Sequence, residues 1–201
     1  LQTYDQKKII PTYGLHPWNA DKFSIDEMMP YIEQCSAIGE IGLDSVWCDV
    51  PLEKQRDVFV KQLDIAQRRK VPVILHTKGQ EKEIAEIIHN YDLTFLIHWY
   101  SCENYLELYL NRGYYFSIGP DIDKEKAVQN VALKVPIDHL LIETDGIESI
   151  AWATGKEAKD TDVPLSLQST LNSVAALRNM NPIDLQDQIN KNWMRLFKNG
   201  D

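Results

Sequence analysis

Short apolar runs alternate with longer amphipathic segments along most of the chain. The runs "KIIPTYGL" (8–15), "AIGEIGL" (37–43), "VPVILH" (71–76), "LTFLIH" (93–98), "YYFSIG" (114–119) and "HLLIETD" (139–145) are rich in Ile, Val, Leu and aromatic residues. Gly, Pro, Asp or Asn bound them, so they predict six strands. Pro11 and Pro72 fall at or near strand starts, where a missing N–H is tolerated. Between the strands, "LEKQRDVFVKQLDIAQRR" (52–69) sets Val58, Leu63, Ile65 and Ala66 near one face with charges opposite. "QEKEIAEIIHNY" (80–91), "CENYLELYLNR" (102–112) and "KEKAVQNVALK" (124–134) behave in the same way. From about residue 163 to 198 the pattern is helical only, with a break and a helix start at Asn181-Pro182. "ATGKEAKDTD" (153–162) reads as the one long polar loop.

Strand and helix in repeated alternation imply right-handed βαβ units and a parallel sheet. No shift in composition marks a second domain, so residues 1–201 are expected to form a single one. An open doubly wound sheet and a (β/α) barrel both fit the alternation. The chain carries no glycine-rich phosphate fingerprint, which counts against a nucleotide-binding doubly wound fold.

The polar residues fall in an informative place. His76 closes "VPVILH", His98 closes "LTFLIH", Asp145 closes "HLLIETD", and His16 follows "KIIPTYGL". Glu40 sits inside "AIGEIGL", a run that otherwise reads as buried. In parallel α/β folds the carboxyl ends of strands face the active site. A carboxylate among apolar neighbours is costly unless something neutralises it. A buried Lys or Arg would serve for Glu40, and so would a cation. His, His, Asp and Glu on four separate strands form a donor set for a divalent metal: imidazole and carboxylate together suit Zn²⁺ and Mn²⁺, and carboxylate-rich sites admit Mg²⁺. Each residue also has a plainer reading, as a hydrogen-bonded structural histidine or, for Asp145-Gly146, a simple turn. His89 on a helix and His139 at a strand start read as structural. Trp47, Trp99 and Tyr100 lie near the proposed mouth, where they either stack on a base or sugar or wall a pocket.

Composition narrows the classes further. The chain is 44% hydrophobic and 25% charged, as in ordinary globular proteins, and has neither a membrane-length apolar run nor a signal-peptide pattern. A net charge of −9 disfavours a protein that coats nucleic acid through a general basic surface. It leaves room for a nucleic-acid enzyme, because bound cations reverse the local sign. Three cysteines without C-x-x-C spacing point to free thiols and a reducing cytoplasm. Cys48 and Cys102 are taken as bystanders.

The ordered set "GLHP" (14–17), "AIGEIGLD" (37–44), "PVILHTKG" (72–79), "LIHWYSC" (96–102), "YYFSIG" (114–119) and "LLIETDG" (140–146) resembles the TatD family of metal-dependent hydrolases. "INKNWMRLF" (189–197) is similar to that family's closing helix, with Asn192 at its usual asparagine. The resemblance covers nearly the whole chain. It implies a TIM-type (β/α) barrel with a one- or two-metal centre at its C-terminal rim. It implies Glu40, His76, His98 and Asp145 as metal ligands, with Glu40 bridging; Asp145 is also expected to accept a proton, since it can hydrogen-bond the nucleophilic water while touching the metal. It implies His16 and Lys78 as substrate-binding residues, Lys78 standing where many members have arginine, which loses the bidentate fork.

The chain also departs from the family. Members begin with an H-x-H strand, and no H-x-H occurs here. Six strands are read where a closed barrel needs eight. With Leu1 rather than Met at the start, the sequence is expected to be an N-terminally truncated fragment, a naturally shortened homologue being the alternative. "ETDG" and "HWYSC" replace more usual family sequences and alter the pocket lining.

By resemblance the expected activity is a deoxyribonuclease that hydrolyses DNA phosphodiester bonds through a metal-activated water. Two alternatives stand beside it. One is an amidohydrolase-like enzyme acting on a small-molecule amide or ester; the other is a non-catalytic truncated homologue. The implied cofactors are one or two divalent ions per chain, with Mg, Zn and Mn not distinguished. The implied partner is DNA or a small-molecule substrate, with no membrane and no obligate protein partner evident.

Overall fold

The computed structural model describes residues 9–198 of the 201. Lys8, the first residue of the first predicted strand, lies outside the described residues. The described residues divide into two compact units, 9–95 and 96–198.

In the first unit three strands run parallel. β1 (Thr12–Tyr13) pairs with β2 (Ala37–Asp44), and β2 pairs with β3 (Val73–Lys78). Every residue of β2 is buried except Glu40, which is why the run reads as continuously apolar: a parallel strand is covered on both faces. Helices supply that cover. α1 (Ile25–Ile32) opens with a capping box, in which Ser24 Oγ accepts from the Glu27 N–H and the Glu27 carboxylate accepts from the Ser24 N–H. α2 (Leu52–Arg69) ends at Lys70 in the left-handed conformation, and α3 (Glu81–Ile88) follows β3. Ile38, Ile41, Leu43, Leu63, Leu75 and Ile84 form a fully buried core.

The α2 face differs from the pattern read off the sequence. Phe59, Leu63, Ile65 and Ala66 are buried, but so are Gln55 and Gln62, while Val58 is only half-buried. The two glutamines are buried because each hydrogen-bonds strand-end backbone, as described below.

In the second unit β4 (Phe95–His98, beginning at the unit boundary) runs parallel to β5 (Tyr115–Ile118), and β5 runs parallel to β6 (Leu140–Ile142). α4 (Leu106–Leu110), α5 (Lys126–Lys134), α6 (Gly146–Thr154), α7 (Val163–Arg178) and α8 (Pro182–Lys198) complete it. Two polar side chains hold these helices. Asn192 on α8 is fully buried and donates to the carbonyls of Ile137 and Leu140, both at 2.8 Å. Arg178 at the end of α7 donates to Ala132 at 2.5 Å and to Val135, near the end of α5. There its charge also complements the helix dipole.

Six strands are thus present among the described residues, all in parallel register where paired. Their limits shift from the expected ones. β3 runs two residues past His76, because its ladder with β2 continues through Leu43↔Thr77 and Asp44↔Lys78. β6 stops at Ile142, three residues short of Asp145. The Glu143 N–H gives a last bond to the Ile118 carbonyl at 3.0 Å, and the chain then turns at Asp145, φ 54°. Two helices were absent from the sequence reading. α1 is short and contains Pro30. α6 takes up residues 146–154, including part of the expected polar loop, and has no capping side chain to announce it.

Candidate metal centre

Glu40 owes its orientation to an irregular ladder. Between Ile38↔Val73 and Ile41↔Leu75, β2 spends three residues where β3 spends two. Such a bulge re-aims the side chain it carries. Glu40 is therefore not sealed in the core as expected: its side chain is 28% exposed and turns toward His76. Two residues on, Gly42 allows the strands to close again. It has φ 154°, and a Cβ there would sit 1.9 Å from the His76 carbonyl oxygen.

His76 is held from the opposite side by Asp44, the last residue of β2. Asp44 is fully buried and its Oδ2 lies 2.9 Å from His76 Nε2. The same oxygen accepts from Trp18 Nε1 at 2.6 Å, and Oδ1 accepts from the backbone N–H groups of Val46 and Trp47, both at 2.8 Å. Burial alone would raise the pKa of this carboxyl. The bonds from His76, Trp47, Trp18 and Val46 outweigh burial and hold it well below the usual carboxylate range. Asp44 is therefore an ionised acceptor, and His76 Nε2 donates to it. Burial likewise favours the neutral His76 ring, but the bond to Asp44 and the neighbouring Glu40 lift its pKa above the ordinary imidazole value.

The other His76 nitrogen, Nδ1, lies 3.8 Å from Glu40 Oε2. His16 completes this cluster. Its ring stacks edge-on against His76, centroids 4.5 Å apart, and single ligand atoms of His16, Glu40 and His76 all lie within 4.8 Å of one another. The His16 Nδ1 also accepts from the Trp18 N–H at 3.3 Å. The structure thus places His16 among candidate metal donors, whereas the sequence reading gave it to the substrate. Lys78, at the end of β3, lies over the Trp47 ring, 5.8 Å from its centroid.

The second unit repeats the arrangement. His98 Nδ1 lies 2.6 Å from Glu143 Oε2, and Glu143 Oε1 accepts from the Trp99 N–H at 3.0 Å. His98 Nε2 lies 3.9 Å from Asp145 Oδ2. Asp145 precedes α6, and its Oδ2 also accepts from Ser149 Oγ at 2.9 Å. Trp99 donates its Nε1–H to Asp121 at 2.7 Å.

In both units an imidazole nitrogen and a carboxylate oxygen face each other at a distance too long for a direct hydrogen bond. With each ring's other nitrogen bonded to a carboxylate, two acceptors are left facing. That donor set fits a divalent cation: neutral imidazole and carboxylate are its usual ligands, and the residues behind them would fix the rings. Asp44 and Glu143, like Gln55 and Gln62, went unnoticed in the sequence. The available signal was a carboxylate at the end of the run "AIGEIGLD" and a second one, two residues before Asp145, in "LLIETD".

Parallel strands interleaved with helices and carrying paired imidazole and carboxylate groups that could hold a metal ion fit a metal-dependent enzyme of the (β/α) kind. The comparisons agree, and they name the group: the chain belongs to the TatD related DNase family, which matches residues 1–198. It is 24% identical to the putative deoxyribonuclease TATDN3 of Mus musculus over 94% of this chain and 69% of that protein. It is 32% identical to the uncharacterized metal-dependent hydrolase YjjV of Escherichia coli (strain K12) over 66% of this chain, which spans 56% of that protein. The crystal structure of the latter, a TatD homologue, superimposes with a TM-score of 0.81 at 26% identity. That match covers 98% of this chain and 79% of that one, so the TIM-type fold expected from the sequence stands.

Proposed function

We propose that this chain hydrolyses DNA phosphodiester bonds, with Glu40, His76, His98 and Asp145 as metal ligands and His16 as a further donor to the Glu40–His76 cluster. The observation that carries the reading is the twice-repeated pairing of imidazole nitrogen and carboxylate oxygen, at 3.8 Å for His76–Glu40 and 3.9 Å for His98–Asp145. Divalent cations bound by these donors would lower the pKa of a water and offset the charge on the scissile group. The protein's own residues do the rest. Asp145 is the most exposed of the four and accepts a proton from the attacking water through Oδ1 or Oδ2. Lys78 offers a positive charge to a phosphate, steadied by the Trp47 face. Trp18 and Trp47, both about half exposed, offer surfaces on which a base can stack. Residues 1–201 are taken as one catalytic domain.

Among the described residues no helix is long and apolar enough to cross a membrane. Three free cysteines fit a reducing cytoplasm, which is the proposed location.

The test is hydrolysis of a single-stranded DNA oligonucleotide with Mg²⁺, Mn²⁺ or Zn²⁺ and with a chelator. Cleavage that needs metal and is lost in Asp145→Ala, with the fold retained by circular dichroism, supports the proposal. Equal cleavage by Asp145→Ala overturns it. The −9 charge favours a second reading, a small-molecule amide or ester as substrate. Salt separates the two: affinity for DNA falls steeply as salt rises, and affinity for a small neutral substrate does not.

A further inference from the structure

We infer that Asp44 and Glu143 are positioning residues that fix His76 and His98 in opposite tautomers, turning Nδ1 of His76 toward Glu40 and Nε2 of His98 toward Asp145 as metal-donor atoms. The inference rests on the metal reading above, and it says which nitrogen each histidine offers and what makes it do so.

At His76 the buried Asp44 accepts three hydrogen bonds, from Trp18, Val46 and Trp47, which hold it as a carboxylate; a carboxylate only accepts, so Nε2 of His76, 2.9 Å away, is the donor there. A neutral ring that carries its proton on Nε2 has its lone pair on Nδ1, the atom nearest Glu40. At His98 the attachment is reversed. Glu143 takes Nδ1 at 2.6 Å while its second oxygen is held by the Trp99 N–H, so the lone pair is on Nε2, the atom nearest Asp145. Both carboxylates are themselves anchored by backbone N–H groups, so neither can swing away from its ring without losing those bonds. Carboxylates placed behind metal-binding histidines orient the ring and strengthen it as a donor. Here the two carboxylates come from different sequence contexts, one ending β2 and one just beyond β6, and they act on opposite nitrogens.

The experiment reads the rings directly. Long-range ¹H–¹⁵N correlation spectra of the metal-free full chain, at a pH where both rings are neutral, distinguish protonated from unprotonated ring nitrogens. The expected result is a proton on Nε2 for His76 and on Nδ1 for His98. Glu143→Gln presents an amide that can donate to Nδ1, so the His98 proton is expected to move to Nε2. Zn²⁺ affinity by isothermal titration then falls about 10- to 100-fold. Asp44→Asn is expected to do the same at His76. Should that variant lose the Val46 and Trp47 bonds and unfold, the wild-type tautomer and Glu143→Gln still decide the matter. The inference is overturned if His76 carries its proton on Nδ1 or His98 on Nε2. It is overturned equally if folded Glu143→Gln binds Zn²⁺ within about twofold of wild type. Wild-type protein that shows the expected tautomers but binds no Zn²⁺ supports the tautomer assignment and refutes the metal reading instead.

Discussion

Gln62→Leu tests whether α2 positions the site through its polar side chains. Gln62 is fully buried; its Oε1 accepts from the Leu15 N–H at 2.6 Å and its Nε2 donates to the Leu15 carbonyl at 3.1 Å. Leu15 is itself buried and immediately precedes His16. Leucine has a similar volume but satisfies neither group, and each buried backbone group left without its partner costs about 1–3 kcal/mol. Two such losses give about 2–6 kcal/mol, and the added apolar burial recovers about 1–2 kcal/mol. The net expectation is a loss of about 1–4 kcal/mol in urea denaturation, with unchanged dependence on urea. Gln67→Leu is the control. It lies on the exposed side of the same helix, where it accepts one bond from the Asp92 N–H at 3.2 Å, and its loss is expected to stay within about 0.5 kcal/mol. DNA hydrolysis should fall in Gln62→Leu, because His16 loses the anchor next to it, and stay unchanged in Gln67→Leu. If the two variants were equally stable, or Gln62→Leu lost less than about 0.5 kcal/mol, the reasoning would be refuted.

Asn192→Leu removes the donors to the Ile137 and Leu140 carbonyls and should cost about 2–4 kcal/mol, read as a lowered urea midpoint without a change in metal affinity per folded molecule. Gly42→Ala should cost more than about 3 kcal/mol in thermal unfolding, since its methyl meets the His76 carbonyl, whereas Gly155→Ala, with φ 69° and open space around it, should cost only about 1 kcal/mol. Burial, then the hydrogen bond and charge of Asp64, push the Tyr91 pKa up to about 12 from 10. A raised folded pKa means that this group's contribution is complete below pH 10 and is lost as pH rises toward about 12. Phenolate absorbance should therefore show a late step that disappears in Tyr91→Phe, and a step lost near pH 10 instead of near 12 would contradict the Asp64 contact.

The order of strands and helices was legible because parallel strands are covered on both faces, so each leaves an apolar run bounded by turn residues. The four proposed ligands were legible because His76, His98 and Asp145 lie near strand ends and Glu40 interrupts such a run. What surrounds them was not. A one-dimensional pattern shows that Glu40 is out of place but not the bulge that turns it outward. Asp44 resembles a simple strand terminator until Trp18, 26 residues away in sequence, is seen to donate to it. His16 reads as a substrate-binding residue until its ring is found against His76. In each case the missing information is a contact distant in the chain, which periodicity does not encode.

The glutamines of α2 show why such contacts accumulate beside the site. Gln55 and Gln62 are seven residues apart, two helical turns, so both point the same way along one side of α2. Gln62 holds the N–H and carbonyl of Leu15. Gln55 does the same for Asp44, accepting from its N–H and donating to its carbonyl, both at 2.8 Å, and reaches the Val50 carbonyl as well. A strand that leaves its sheet has backbone groups the ladder no longer serves, and burying them unpaired is expensive. An amide side chain, with its acceptor oxygen and donor nitrogen side by side, meets an N–H and a C=O of the same residue at once without carrying charge. Placing two of them in the core of α2 therefore allows β2 and the segment after β1 to end in fixed positions, with Asp44 behind His76 and His16 against it. The cost is a helix face that looks imperfectly amphipathic, and the return is a rigid mounting for the candidate ligands.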